Sequence, residues 1–523
     1  MARINTPHCS GWSLFTLKNR SLYAKSLSAQ LFCGLLIALA SLALSSCHSA
    51  EYYYYKFPQY TFANRPVPPS KLAQRVMVSY TANGSQGGLA ILDAKRDIRS
   101  NIQNTIPSFS ISGYSSGYPS QIFNFPEAVH GYVYSKTDGS VGIIDYSKES
   151  SAGAAPIKFP QSASIAIPAT FTHYYSAQEG AGQLIVLDNT TGGSYALNLP
   201  DVDKVTVNKG DTVVLAMVRN SNTIYRLIKL NTDTVKFPTA QQAITATGAS
   251  DCQPLNLPVY CIVPVNPAGA GGGSNAFDRP IDAYFSLDGT TAYVLNCGPE
   301  CGGTTASITL LKQSVLNINT IPTSTPDLSA FTSNVPVPGG ATVALSDATT
   351  LYVAGQQQMP DGLFTGYLST IDLAAATSSP STAVTGKYGI SDGTHTKLLF
   401  ADDNTLWIGS QYCATGERQK LNQNYNCLTR FDRGAKTAQI IPNVTPGGPT
   451  TVSFPNTNQN LYYYGDLTGL CWVQDFHKIY TAYGGQVHAF NTADGSEINN
   501  QFITVQGTAL DVAYMDAVTN SDD

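Results

Sequence analysis

The run Ile281-Asp-Ala-Tyr-Phe-Ser-Leu-Asp-Gly289, followed by Thr291-Ala-Tyr-Val-Leu-Asn296 and Ala306-Ser-Ile-Thr-Leu-Leu311, decides the reading of the whole chain. Each piece is short, rich in β-branched and aromatic residues, and bounded by turn formers, with Asp288-Gly289 between the first two. That is the pattern of antiparallel strands joined by tight turns. The same order returns downstream. It reappears as Ala341–Asp347, Leu351–Ala354 and Tyr367–Asp372, and again as Leu398–Asp402, Leu406–Gly409 and Cys427–Asp432.

Upstream the pattern is more degenerate. Val76–Tyr80 pairs with Leu89–Asp93, Gly131–Ser135 with Val141–Asp145, His173–Ser176 with Leu184–Asp188, and Val213–Met217 with Tyr225–Leu230, while Ile479–Ala482 and Val487–Asn491 form the last pair. Eight strand pairs recur at intervals of roughly 40 to 80 residues. A recurring unit of four strands cannot bury both faces of its own sheet, so the units must stack on one another. The fold expected is all-β, a β-propeller of eight four-stranded blades, or seven if two early units form one blade. The first unit lacks a leading strand. Leu510–Asp516 reads as that strand, which would close the ring by joining the two chain ends and leave no open sheet edge.

Ser286-Leu-Asp-Gly289 followed by Tyr293-Val-Leu-Asn296 resembles the SPDG…YVTN core of YVTN-type β-propeller repeats. The resemblance covers residues 72–517 and is strongest over the later units. It implies a fold and no single activity, because such repeats serve surface-layer proteins, binding proteins and lactonase-like enzymes alike.

Composition agrees with many short strands. Charged residues form 12% of the 523-residue chain, about half the usual ~25%, and glycine (44), proline (29) and tyrosine (30) are frequent. The net charge is -5. The first 46 residues hold Arg3, Lys18, Arg20 and Lys25 and no acid, which leaves 26 basic against 35 acidic residues beyond them. An acidic surface repels phosphate backbones, so nucleic acid is not an expected partner.

The amino terminus reads as an address. A polar, basic stretch leads into the apolar run Leu31–Leu44, too short to span a bilayer as a helix and suited to a signal sequence. Leu44-Ser45-Ser46-Cys47 then resembles the bacterial lipobox. The resemblance implies lipidation of Cys47, with residues 1–46 as signal peptide and the membrane as partner through the N-terminal lipid. His48 in place of Asp implies sorting to the outer membrane. Residues 47–71 read as the lipidated cysteine and an extended tether stiffened by Pro66, Pro68 and Pro69. Residues 518–523 read as a disordered tail.

Seven cysteines lie beyond Cys47. In an exported chain their spacing pairs Cys252 with Cys261, Cys297 with Cys301 and Cys413 with Cys427, each expected to clip a loop beside a strand, and leaves Cys471 as a buried free thiol. No metal site is expected at Cys297 and Cys301, which have no nearby His and lack a C-x₂-C spacing.

Catalytic patterns are sparse. His48, His130, His173, His395, His477 and His488 share no metal-binding spacing, and neither a nucleophile elbow nor a calcium loop is present. His173 and His488 fall in strands and read as core or blade-contact residues. A Cys471/Asp475/His477 set is the sharpest catalytic alternative. Asp93, Asp145, Asp188 and Asp372 recur at strand ends and read as turn caps. Only Trp407 and Trp472 follow the signal, which counts against a quinone-binding propeller enzyme with tryptophans in every blade, and no cofactor is expected. The insertions 240–277, 410–427 and 440–466 could share one face. The expectation is a cell-envelope lipoprotein whose propeller binds protein or glycan through loops. The alternatives are a lactonase-like hydrolase using the central channel and an outer-membrane assembly partner.

Overall fold

The computed structural model describes residues 67–97, 109–230, 248–255, 259–265, 276–322, 330–413, 426–442, 464–498 and 503–519. Cys47, most of the tether, the last residues of the tail and much of the three insertions lie outside them.

The strands form eight antiparallel sheets. In chain order, blade 2 spans Pro119–Ala154, blade 3 Ser164–Asn198, blade 4 Val202–Val265, blade 5 Pro280–Pro336, blade 6 Val343–Gly389, blade 7 Thr394–Ile441 and blade 8 Leu467–Asn491. Blade 1 is built from both chain ends. Its strands Arg75–Thr81 and Gly87–Asp93 pair with each other, and Thr508–Tyr514 adds antiparallel to the first, from Val76 opposite Tyr514 to Thr81 opposite Thr508. The C-terminal strand therefore closes the ring, as the missing leading strand implied. The protein is a β-propeller with eight blades.

Period-two alternation explains why the blades stack. Along Arg75–Thr81, Val76 and Val78 enter a core shared with Cys471, Val473 and Tyr480 of blade 8, while Met77 enters a different core with Val133 and Ile144 of blade 2. In blade 6, Leu351 and Val353 pack with Leu295 and Ile308 of blade 5, whereas Tyr352 and Ala354 pack with Phe400 and Leu406 of blade 7. Each blade interface carries its own apolar cluster. Full burial of one Val, Leu or Ile side chain contributes about 1.5–3 kcal/mol, so every interface holds a substantial share of the stability.

Three blades depart from four regular strands. Among the described residues blades 1 and 8 have three, and their fourth position is marked by the isolated bridges Gly87–Ser116 and Ala90–Ser110 in blade 1 and Phe490–Glu497 in blade 8. Blade 4 has five, because the insertion contributes Asp251–Gln253 as an extra outer strand on Tyr260–Val265. Cys252 and Cys261 are directly opposed across that pair and form a disulfide. This bridge thus staples strand to strand, where a clipped loop was expected. The other two disulfides, Cys297–Cys301 and Cys413–Cys427, do close loops.

The chain enters each blade on its inner strand and works outward. Because all pairings are antiparallel, connections alternate between the two ends of the ring. Links between first and second strands, and between third and fourth, lie at one end, called lower below. Links between second and third strands, and from blade to blade, lie at the upper end.

Candidate functional site

The lower end is a set of clasps between neighbouring blades. Arg75 of blade 1 binds Asp516 at 2.7 Å and Glu149 of blade 2 at 3.0 Å, and donates to the Tyr146 carbonyl at 2.6 Å. His173 and Tyr175 of blade 3 both hold Asp211 of blade 4, Tyr175 Oη at 2.7 Å, and His173 Nε2 lies 2.9 Å from Tyr260 Oη. Arg433 of blade 7 meets Asp347 of blade 6 at 2.7 Å and covers the Phe400 ring. Lys478 of blade 8 reaches Asp97 of blade 1 at 2.9 Å, and Tyr480 donates to the same carboxylate. These groups are paired with one another across blades, which is a mechanical role.

The strand-end aspartates have the turn-capping role read from the sequence. Asp145 accepts the N–H groups of Ser147 (2.9 Å) and Lys148 (3.1 Å), Asp188 those of Thr190 (2.9 Å) and Thr191 (3.1 Å), Asp93 that of Lys95 (3.0 Å), and Asp372 that of Ala375 (2.7 Å). Burial works to raise the Asp188 carboxyl, but the Thr190 and Thr191 bonds and the neighbouring His173 bring it down to about 2.

The histidines do not converge. His173 is a blade contact, and His488 is a core residue of blade 8, its Nδ1 2.7 Å from Glu497 and its ring stacked on Tyr464. His477 is exposed and pairs with Asp403 of blade 7 at 3.0 Å, so it does not join Cys471. The Cys471/Asp475/His477 set is not assembled. Cys471 is a buried free thiol on the inner strand of blade 8, and burial pushes it well above the usual thiol range, with Asp511 adding to the effect. His395 is buried on the inner strand of blade 7. Its Nε2 lies 2.8 Å from the Ser391 carbonyl, and burial lowers it to about 4. Among the described residues no group of three or more His, Cys, Asp or Glu side chains could hold a metal ion, and no helix is long and apolar enough to cross a membrane.

Two regions remain. The first is the upper end. Cys297–Cys301 and Cys413–Cys427 pin second-to-third-strand connections of blades 5 and 7 there. The described residues flanking 266–275, 414–425 and 443–463 stand at the same end, so the second and third insertions and the last part of the first join the ring on one face, whereas the Cys252 part of the first runs along the outer edge of blade 4. Glu300, inside the Cys297–Cys301 loop, accepts the Gln356 N–H at 3.0 Å and its side-chain amide at 2.9 Å, and Gln356 in turn accepts the Gly393 N–H at 3.1 Å. Burial raises the Glu300 carboxyl against those bonds. Asp466 accepts the Tyr412 N–H at 2.7 Å, which joins the second-to-third-strand connection of blade 7 to the entry of blade 8 while leaving Tyr412 62% exposed. The upper rim is therefore cross-linked from blade 5 to blade 8.

The second region is the channel lined by the inner strands. One side is a cavity of about 300 Å³ with the Lys204–Asp282 ion pair at 2.7 Å on its wall. The other, about 180 Å³, carries Lys397 and Asp511. Asp511 lies on the closing strand and accepts the N–H of Ile122 in blade 2 at 2.8 Å and that of Val512 at 3.0 Å. Burial raises its carboxyl, opposed by Lys397. Sequence reading missed these channel residues. The signal was a charged side chain inside an apolar inner strand, as in Thr394-His-Thr-Lys-Leu-Leu-Phe-Ala401.

These features define an eight-bladed β-propeller with a pinned loop face and a charged, two-sided channel. No protein-family profile matches the chain, and no curated protein matches it. Solved structures similar to it include dihydro-heme d1 dehydrogenase NirN in complex with DHE, at 13% identity and a TM-score of 0.46, over 84% of this chain and 75% of that one. It is also similar to apo AztD from Citrobacter koseri (9% identity, TM-score 0.42, 84% and 97% covered). A putative 6-phosphogluconolactonase from Bacteroides fragilis is similar at 10% identity and a TM-score of 0.41 over 84% of this chain and 97% of that one. None of these similarities assigns an activity to this chain.

Proposed function

We propose that this protein is a cell-envelope lipoprotein, anchored through Cys47, whose propeller serves as a binding or scaffold module for a protein or glycan partner at the upper end. The outer membrane is the proposed location, from His48 after the lipidated cysteine. The observation that carries the binding reading is the position of the two loop disulfides. They hold connections of blades 5 and 7 on the same face where the insertions join the ring, next to the exposed Tyr412. Function concentrates in loops held by a rigid scaffold, and an exposed aromatic is a favoured anchor for a partner. Three disulfides fit an oxidising compartment, and the basic-apolar-small-Cys order fits export and lipidation.

In-cell crosslinking and pull-down of the full-length protein, with Cys47→Ala as control, tests this reading. A discrete envelope partner that is lost in the control supports it. Recovery of no partner above background, or the same partners from both proteins, contradicts it.

A further inference from the structure

Among the described residues, five of the six large apolar side chains left exposed stand at the lower end. They are Val67, Val129, Leu255, Leu287 and Val518, each at least 45% exposed, and only Tyr412 belongs to the upper end. A single exposed valine or leucine needs no explanation, but apolar side chains gathered on one face mark a contact surface.

The topology fixes each placement. Val129 lies between the first two strands of blade 2, and Leu287 between those of blade 5. Leu255 lies in the turn between Asp251–Gln253 and Tyr260–Val265, and Tyr260 is opposite Lys229, where the third strand of blade 4 finishes. The Val518 N–H donates at 2.8 Å to Gln474, in the first-to-second-strand link of blade 8. Val67 precedes Ser70, whose N–H and hydroxyl donate at 2.8 and 2.6 Å to Glu149, in the third-to-fourth-strand link of blade 2.

Three of the five share one seam. The Glu127 N–H donates to the Ala517 carbonyl at 2.8 Å, and the Tyr146 N–H to the Val129 carbonyl at 3.0 Å. The loop of Val129 is thereby tied on one side to the C-terminal segment that carries Val518, and on the other to the turn that holds Ser70. The chain enters the ring at this same seam. Leu72 is buried in the core shared by blades 1 and 2, and Ser70 is fixed on Glu149. Nineteen residues, 48–66, separate Cys47 from Val67. A lipid on Cys47 brings the bilayer towards that entry point. A bilayer at the upper end would oblige the same residues to return along the full height of the ring.

We propose that the lower end of the propeller rests on the bilayer surface, with Val67, Val129 and Val518 in the interfacial zone and Leu255 and Leu287 extending the contact around the ring. The proposal rests on the anchoring through Cys47 given above, and it turns the upper end away from the membrane. Exposed charges of both signs stand among the apolar side chains, Arg96 and Lys148 against Glu127 and Asp288. The contact is therefore apolar in origin, needs no anionic lipid and is insensitive to salt.

The test is quenching of a fluorophore by spin-labelled lipid. A cysteine placed at 129, 287 or 412 of the full-length protein is labelled with a thiol-reactive bimane. The protein is then reconstituted into phosphatidylcholine vesicles, with or without a lipid carrying a nitroxide near the top of its acyl chain. The labels on Val129→Cys and Leu287→Cys are quenched several-fold more than that on Tyr412→Cys, at low and high salt alike. Equal quenching at the three positions, stronger quenching at 412, or none at 129 and 287 overturns the proposal. Shielding of the 129 and 287 labels from a water-soluble quencher without quenching by the lipid assigns the face to a second copy of the chain and also overturns it. Mass spectrometry of the N-terminal peptide separates the two readings. An unacylated Cys47 contradicts the anchoring and the orientation with it, whereas an acylated Cys47 with any of the overturning patterns refutes the orientation alone.

Discussion

Arg75 and Asp516 stand 441 residues apart in the chain and meet in an ion pair at 2.7 Å, both side chains 3% exposed or less. They fasten the closing strand at the point where the two chain ends form one blade. Removing Arg75 strands two buried carboxylates, Asp516 and Glu149, and breaking a buried pair costs about 3–5 kcal/mol. Arg75→Met should lower the unfolding free energy by at least that much, measured by urea denaturation followed by far-UV circular dichroism. Asp516→Asn, which leaves Arg75 paired with Glu149, should cost less. A single variant with an unchanged midpoint would show that the pair does not fasten the ring.

Acid should destabilise the protein through His395. Its unfolded value is near 6.5 and burial lowers the folded value to about 4, so the unfolded chain takes up the proton first. The stability held by the neutral ring is complete above pH 6.5, falls between 6.5 and about 4, and is gone below that. The difference amounts to about 3 kcal/mol. Glu300 and Asp511 act oppositely, since their raised carboxyls gain stability as pH falls. The informative quantity is therefore wild type against His395→Gln. Unfolding free energies measured from pH 7 to 4 should converge as pH drops, and parallel curves would exclude this role.

Cys471 should be unreactive in the native protein. Its thiol is buried and pushed up, whereas the other six described cysteines are bonded in pairs. Maleimide labelling followed by peptide mass mapping, without reductant, should leave the Cys471 peptide unmodified when folded and modified after denaturation.

The capping aspartates should matter for stability and not for binding. Asp145→Ala removes the oxygen that accepts two N–H groups of one turn and should cost about 1–2 kcal/mol. Asp188→Ala should cost more, because Asp188 also receives the Tyr260 hydroxyl at 3.4 Å and faces Lys229 at 3.6 Å. Equal losses measured by chemical denaturation would show that the cross-blade contacts add nothing.

Much of the fold was legible because inner and middle strands are buried on both faces. Val76–Tyr80, Tyr293–Asn296 and Leu406–Gly409 must be apolar wherever they stack, and the aspartate at each strand end announces the turn. Leu510–Asp516 was readable as the closing strand because blade 1 had no leading strand of its own. Outer strands carry little signal, since Ser150–Ala154 and Val384–Gly389 face solvent for much of their length. The extra strand Asp251–Gln253 is three residues long, too short for any period to show. The channel site was hidden for a different reason. Lys397 and Asp511 stand on blades 7 and 1, more than 100 residues apart in the chain yet 3.9 Å from each other, and no local pattern records that.

The upper end is the proposed partner face. Tyr412 lies in the second-to-third-strand connection of blade 7 at that end, and Val129 lies at the opposite end between the first two strands of blade 2. They are 62% and 66% exposed. A photo-crosslinking amino acid placed at each position in the full-length protein, in cells, compares the two faces directly. A discrete adduct from position 412 and none from 129 is the predicted result. An adduct from 129 alone, or from neither, would contradict the claim.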